Sequence, residues 1–226
     1  MATKGMVRPT GNVSMVRIPG QWPTRVGLAE FWEHTLPWPS LLPEVRRWRT
    51  RNLSRTLRQF LKVQLAVQGS RVLGITTAYG TLYLTLRRKD GTIIPLGLAS
   101  MRVVTTTGAG FIVDAFQNLV ELENMKFHGI GTGVVAEAAA DTALGTELTT
   151  QYNPDSTRAT GTTTEASALV YRTVGTNTVD ATVAITEHGI LSQAATGGGV
   201  LLDRSQFAAL NLVSGDSLQS TYDLTL

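Results

Sequence analysis

The chain has 226 residues and is 42% hydrophobic, which is enough for a buried core, and it contains no cysteine. The lack of cysteine excludes a disulfide framework and any cysteine-ligated metal. No run approaches the roughly 18 apolar residues that span a bilayer, and residues 1–20 lack the apolar region of a secretory signal. We therefore expect a soluble protein made in a cytoplasm.

The net charge of +3 conceals a division between the two halves of the chain. Residues 1–110 contain 16 Lys and Arg against 4 Asp and Glu, whereas residues 111–226 contain 4 against 13. Such asymmetry predicts two different partners, or two copies that meet head to tail.

Residues 1–27 are rich in proline and glycine and show little hydrophobic periodicity. This composition predicts an extended arm rather than a folded unit, and a terminus without a fixed position is the alternative. Met15 and Ile18 lie in an apolar stretch of the arm. We predict that these two residues bind the surface of a neighbouring subunit.

A short helix is predicted from Leu28 to Pro37, since proline ends a helix. Its aromatic residues predict a local core rather than a platform for stacked bases, because the basic residues lie further along the chain.

The segment from about residue 43 to 68 predicts the clearest helix. Four apolar residues share one face of it: Leu53, Leu57, Phe60 and Leu61. Five cations fall on the opposite side: Arg47, Arg51, Arg55, Arg58 and Lys62. Almost no acid is interspersed among these cations, so we predict contact with an anion, either DNA or an acidic protein surface such as the second half of this chain. A solvated face is the alternative.

A β-hairpin is predicted over about 79–98, because residues alternate before Asp90-Gly91, a dipeptide that supplies the positive φ of tight turns. Pro95 predicts an edge position or a strand end for the returning segment, and Met101–Thr106 is predicted as a third strand. Gly108–Gly110 is predicted to join this basic α+β region, residues 28–110, to an acidic β module, residues 111–226.

The last segment, Ser217–Leu226, alternates strictly, which predicts a half-buried core strand. Upstream, threonine-rich segments separated by polar turns predict strands at the spacing of a sandwich or jelly roll. The fold class predicted for the whole chain is mainly β: a C-terminal β-sandwich or jelly-roll-like module after an α+β region with one basic amphipathic helix and an extended arm.

Four motifs within residues 127–226 carry a resemblance to a known class of proteins. They are Gly129-Ile130-Gly131-Thr132-Gly133, Asp141-Thr142-Ala143-Leu144 followed by Glu147-Leu148, Ile185-Thr186-Glu187 followed by Gly189, and the closing segment Gly215–Leu226. In these motifs the chain resembles small β-rich virion structural proteins of tailed bacteriophages. The resemblance implies location in the virion, partnership with the major capsid protein or other virion proteins, and a homo-oligomer, with a trimer favoured.

Catalytic motifs are weak. The Gly-x-Gly-x-Gly motif places its third glycine one position too early for a dinucleotide fingerprint. His34, His128 and His188 lack metal-ligand spacing, and a trio of Ser205, His188 and Asp203 lacks a nucleophile-elbow sequence. We therefore predict no enzyme activity, no catalytic residue, no cofactor and no metal.

The function predicted from the sequence is that of a non-enzymatic capsid decoration or cement protein that stabilises a phage head. The chain ends on its last core strand, which favours this role over a fibre with a shaft. Two alternatives stay open. One is a neck, tail or baseplate adaptor or fibre-attachment protein, and the other is a nucleic-acid-binding module that uses the basic helix.

Overall fold

The computed structural model describes residues 26–74, 76–150, 152–153 and 156–226. The predicted arm, including Met15 and Ile18, lies outside these residues except for its last two positions. The helices are α1 (Leu28–Thr35), α2 (Pro43–Leu73) and α3 (Thr106–Phe116), with a 3-10 turn at Leu122–Asn124. The strands are β1 (Tyr79–Arg87), β2 (Ile93–Val103), β3 (Phe127–Gly131), β4 (Tyr152–Asn153), β5 (Ala159–Thr160), β6 (Thr162–Ser167), β7 (Val170–Val179), β8 (Val183–Leu191), β9 (Leu201–Leu212) and β10 (Ser217–Thr225).

The protein is mainly β, as predicted, and its strands form two antiparallel sheets. The large sheet has the order β2-β1-β10-β7-β4, with β6 also paired to β7. The small sheet has the order β5-β3-β8-β9. Both sheets contribute to one apolar cluster, in which Leu84 and Leu218 of the large sheet accompany Ile130 and Phe207 of the small one. Each such fully buried side chain stabilises the fold by about 1.5–3 kcal/mol.

The closing strand β10 is a core strand, as its alternation predicts. Leu218, Tyr222 and Leu224 lie in apolar clusters. The prediction of a half-buried strand is wrong, because Thr221 and Asp223 on the opposite face are also buried. β10 is flanked on both sides by strands, and the Asp223 carboxylate is paired with Arg172 of β7.

The boundary predicted at residue 110 does not separate the strands. β1 pairs with β10 along its whole length, so the basic and acidic regions share the large sheet. The predicted joint at Gly108–Gly110 lies inside α3. The hydroxyl of Thr105 caps this helix by accepting a hydrogen bond from the Gly108 N–H at 3.0 Å, and Gly108 packs against the backbone of Leu202.

The predicted hairpin is present as β1 and β2, with Gly91 at a φ of +88° in its turn. The strand β2 lies at the edge of the large sheet, as Pro95 predicts. One correction applies here. The strand runs unbroken to Val103 through two irregularities in its register with β1, rather than as two separate strands.

The long helix α2 extends beyond its predicted end and stops at Gly74, which has the left-handed conformation. Its buried face differs from the predicted one. Phe60 is buried, but Leu61 is exposed, and Asn52 and Thr56 face inward. The physical reason is that α2 packs against two sheet edges, where its inward side chains meet backbone groups that need hydrogen-bond partners.

Side chains of α2 form hydrogen bonds with backbone groups at the edges of both sheets. The Asn52 amide donates to the Ala99 carbonyl of β2 at 2.9 Å and accepts from the Ala208 N–H of β9 at 3.1 Å. Arg49 donates to Leu96 of β2 at 2.8 Å. An uncovered edge is a template for pairing with another chain, so α2 protects the seam between the sheets.

Candidate interaction surfaces

The structure brings the Ser205, His188 and Asp203 trio together in the core. Ser205 Oγ lies 3.1 Å from Asp203 Oδ1, and His188 is opposite Ser205 in the register of β8 and β9. Each of the three is at most 2% exposed. His188 Nε2 lies 3.0 Å from Nδ1 of His128, so this nitrogen is engaged by another ring. The trio is therefore enclosed and out of reach of a substrate in this conformation.

The two buried histidines form a neutral pair. Burial lowers the pKa of His128 to about 3. Burial and, second, the neighbouring His128 ring lower the pKa of His188 well below its ordinary value. His128 Nε2 also contacts the Thr173 hydroxyl at 3.1 Å, which gives this ring partners on both nitrogens. Such a pair stabilises the interior only while both rings stay uncharged.

The pKa of Asp203 is shifted in the opposite direction. Burial raises its pKa to about 6, and the nearby Arg102 guanidinium and the Ser205 hydroxyl offset this only in part. Among the described residues, neither Oδ2 of Asp203 nor the hydroxyl of Tyr222 has a hydrogen-bond partner. Above about pH 6 the core therefore contains a carboxylate with incomplete compensation.

The glycine-rich motif surrounds a buried carboxylate that the sequence analysis missed. The Glu187 side chain is fully buried and accepts hydrogen bonds from three backbone N–H groups, at 2.9 Å from Gly133, 2.9 Å from Gly145 and 2.7 Å from Thr146. Arg204 Nε donates to the same carboxylate at 2.8 Å. Burial alone would raise the pKa of Glu187, but these donors outweigh it and lower the pKa.

This arrangement explains why the motif is glycine-rich. A side chain at Gly133 would collide with the Glu187 carboxylate, so only glycine lets the backbone approach. Arg204 continues the network to Asp141 at 2.9 Å. The glycine motif, the Asp141–Leu148 stretch and Glu187 therefore meet in space, where they hold the loop between β3 and the Thr146 region against β8 and β9. The sequence shows the motifs and their spacing, but it does not show that their backbone groups bind one carboxylate.

The predicted cation stripe of α2 lies on the surface. Arg47, Arg51, Arg58 and Lys62 are exposed and Arg55 is partly buried. Within the part of the chain that the structure describes, none of the five forms an ion pair with an acid of the same molecule. The stripe is thus available to an anionic partner.

Two exposed apolar surfaces lie on helices. The first, here called the α2 face, consists of Leu61, Leu65 and Val72, which are within about 40° of one another around the helix axis. The exposed fraction is 73% for Leu65 and 86% for Val72. This surface continues the cation stripe towards the end of the helix.

The second surface, here called the α3 face, lies at the end of α3 and in the turn that follows. It consists of Val113, Phe116, Leu119 and Leu122, with Phe116 85% exposed. Phe111 is buried, but Leu119 points outward, because the chain leaves the helix after Phe116 and turns through Asn118, whose φ is +57°.

Other kinds of site find little support in the described ranges. No three His, Asp or Glu side chains there lie close enough to hold a metal ion together. No helix there combines the length and the apolar character needed to cross a membrane. A scan against protein-family models and searches of curated proteins and of solved structures found no match.

Proposed function

We propose that the protein is a non-enzymatic structural component of a tailed-phage virion, and specifically a capsid decoration or cement protein that binds across capsid subunits. The observation that carries this proposal is the pair of exposed apolar faces. Monomeric soluble proteins rarely expose contiguous apolar patches larger than roughly a few hundred Å², whereas proteins that assemble do so at their interfaces. Phe116 and Val72, each more than four-fifths exposed, are the clearest examples.

The body of the protein suits a structural role in the virion. We interpret the two sheets and their shared core as a β-sandwich and α2 as a basic amphipathic helix that closes its seam. In this proposal, residues 1–27 form an arm that binds a neighbouring subunit through Met15 and Ile18. Several weak attachments on one rigid body give a combined affinity far above that of any single attachment.

Internal contacts of the polar residues support the non-enzymatic part of the proposal. Glu187, Arg204 and Asp141 hold a loop, and His128, His188 and Asp203 lie in the core. Residues that bear catalytic chemistry in other proteins are here engaged in the fold.

The test uses virions of a phage that encodes this chain, prepared with and without the protein. We expect the purified heads to contain the protein in a fixed ratio to the major capsid protein. Heads without it should release their DNA at a lower temperature. If the protein is found only on necks or tails, the adaptor alternative replaces the decoration role. If it is absent from virions, the proposal fails.

Nucleic-acid binding is a second candidate, favoured by the exposed cations of α2. It predicts affinity for duplex DNA that falls steeply with salt, because each phosphate contact releases counterions. Replacement of Arg47, Arg51, Arg58 and Lys62 by Glu should abolish this binding in a mobility-shift assay. Absence of binding by the wild-type protein at low salt would eliminate this candidate.

A further inference from the structure

The two exposed apolar faces differ in the charge that surrounds them. On α2, Arg58 and Lys62 lie within about 60° of Leu65 around the helix, and both are exposed. At the α3 face, Asp114 follows Val113 in the sequence, Glu121 and Glu123 precede and follow Leu122, and all three acids are exposed. One face is apolar with a basic rim, and the other is apolar with an acidic rim.

We infer that the α2 face of one copy binds the α3 face of the next copy, so that the protein assembles head to tail. The two faces are complementary in apolar character and in charge. Each offers large apolar side chains for burial at the centre, and their rims carry opposite charges that steer the encounter and fix its orientation.

Pairing of like faces is disfavoured by the same charges. Two α2 faces would bring Arg58 and Lys62 of both copies together, and two α3 faces would bring six carboxylates together. Juxtaposed like charges at an interface oppose association. A second copy of this chain is therefore a better occupant of each face in the complementary than in the symmetrical arrangement.

The kind of interface limits the form that the assembly can take. An interface between two different patches of the same chain is heterologous: it closes into a ring where the rotation between copies permits, and it otherwise continues as an open filament. The α2 face extends about 17 Å along the helix, from Leu61 to Val72, which is enough for the centre of an interface of about 800 Å² per copy. We expect a closed ring; an open filament would contradict the closure but not the pairing of the two faces.

This inference deepens the proposed function and rests on it for the role of the ring in the virion, but its test needs only the purified full-length chain. Variant one, Leu65→Ser with Val72→Ser, removes the α2 face. Variant two, Phe116→Ser with Leu119→Ser, removes the α3 face. The matched control is Val134→Ser, which replaces a residue that is 73% exposed and belongs to neither face.

Native mass spectrometry should show a ring for the wild type and for the control, and monomers for each variant alone. An equimolar mixture of the two variants should form a dimer, because the intact α3 face of variant one meets the intact α2 face of variant two. Thermal melts followed by circular dichroism should be cooperative for all four proteins, since the replaced side chains are exposed, and the wild type and the control should melt at a higher temperature because assembly stabilises the folded state.

Three results would overturn the inference: a monomeric wild type, an oligomer that survives in one variant, and a mixture that stays monomeric. The second of these would indicate a symmetrical interface. A ring in solution together with absence from virions would contradict only the proposed function. A monomer in solution together with presence in virions would contradict only this inference.

Discussion

At the scale of single residues, the protein uses buried charge to fix a loop. Glu187 accepts three backbone hydrogen bonds and one from Arg204, so an irregular segment is tethered to β8 and β9. A buried carboxylate is costly unless its lone pairs have donors, and here three of the four donors come from the loop and the fourth is Arg204 of β9. The loop and the carboxylate therefore depend on each other.

Replacement of Glu187 by Gln should destabilise the protein by on the order of 3 kcal/mol, because it leaves Arg204 buried with less compensation and sets an amide N–H against backbone donors. Urea unfolding monitored by tryptophan fluorescence measures the effect. The control Glu123→Gln, at an exposed site, should stay within about 0.5 kcal/mol of the wild type. Equal stability of the two variants would refute the role assigned to Glu187.

The lowered pKa of Glu187 also gives a dependence on pH. A carboxyl whose folded pKa is lowered contributes stability that is present above its ordinary value, 4.5, and lost as the pH falls through the folded value. Wild-type stability should therefore fall more steeply than that of Glu187→Gln as the pH is lowered from about 5 to about 3. Parallel curves for the two proteins would show that Glu187 is not the source of this loss.

The buried histidines predict a second dependence on pH. Since burial lowers both pKa values, the ring nitrogens of His128 and His188 should keep the chemical shifts of neutral imidazole at about pH 5. The unfolded chain takes up protons below about pH 6.5, so stability should fall as the pH is lowered through that value. In concentrated urea the same nuclei should titrate normally, and a charged ring in the folded protein at pH 5 would contradict the prediction.

Asp203 predicts the opposite dependence of stability on pH. Its folded pKa, about 6, is above its ordinary value of 3.8, so its contribution favours the folded state at low pH and declines as the pH rises towards 6. Asp203→Asn should be more stable than the wild type, by on the order of 1 kcal/mol more at pH 8 than at pH 5. The exposed control Asp114→Asn should shift stability equally at both pH values. The same result for Asp203→Asn would refute the prediction.

At the scale of secondary-structure elements, α2 is a cover for two sheet edges. Asn52→Ala should leave the Ala208 N–H without its side-chain partner and the Ala99 carbonyl with only the Thr56 hydroxyl at 3.4 Å, at a cost of about 2 kcal/mol in the free energy of unfolding. Hydrogen exchange of the Ala208 amide should accelerate in the variant. Ser54→Ala, at an exposed position on the same helix, should change neither quantity. Retained protection at Ala208 would show that the edge does not depend on Asn52.

The elements that sequence predicts best are those with local signals. The Asp90-Gly91 turn, the core of α2 and the alternation of β10 each depend on neighbouring residues, and each is present. The outward direction of Leu61 could not be predicted, because it follows from the seam over which α2 lies. The helix at Gly108 likewise depends on packing against Leu202, which is distant in sequence. The contact between the Glu187 carboxylate and the glycine motif could not be predicted either, because these residues are also distant in sequence.

At the scale of the whole molecule, the order of the strands links the two ends of the described chain. β10 comes last in the sequence, yet it lies in the large sheet between β1 and β7. Its pairing with β1 spans more than 130 residues, since Tyr79 lies opposite Thr225. Contacts between such distant residues slow folding, because the loop must close before the contacts form. The large sheet cannot be completed until β10 is in place.

Deletion of residues 217–226 should therefore abolish the cooperative unfolding transition, rather than lower stability by the sum of a few contacts. The deletion removes Leu218, Tyr222 and Leu224 from two apolar clusters and leaves facing edges of β1 and β7 unpaired. Open edges of this kind pair with other chains, so the truncated protein should also aggregate. Deletion of Leu226 alone, which is half exposed, provides the control and should leave a cooperative melt in circular dichroism. A soluble truncated protein with a single sharp transition would show that the remaining strands fold without their central member.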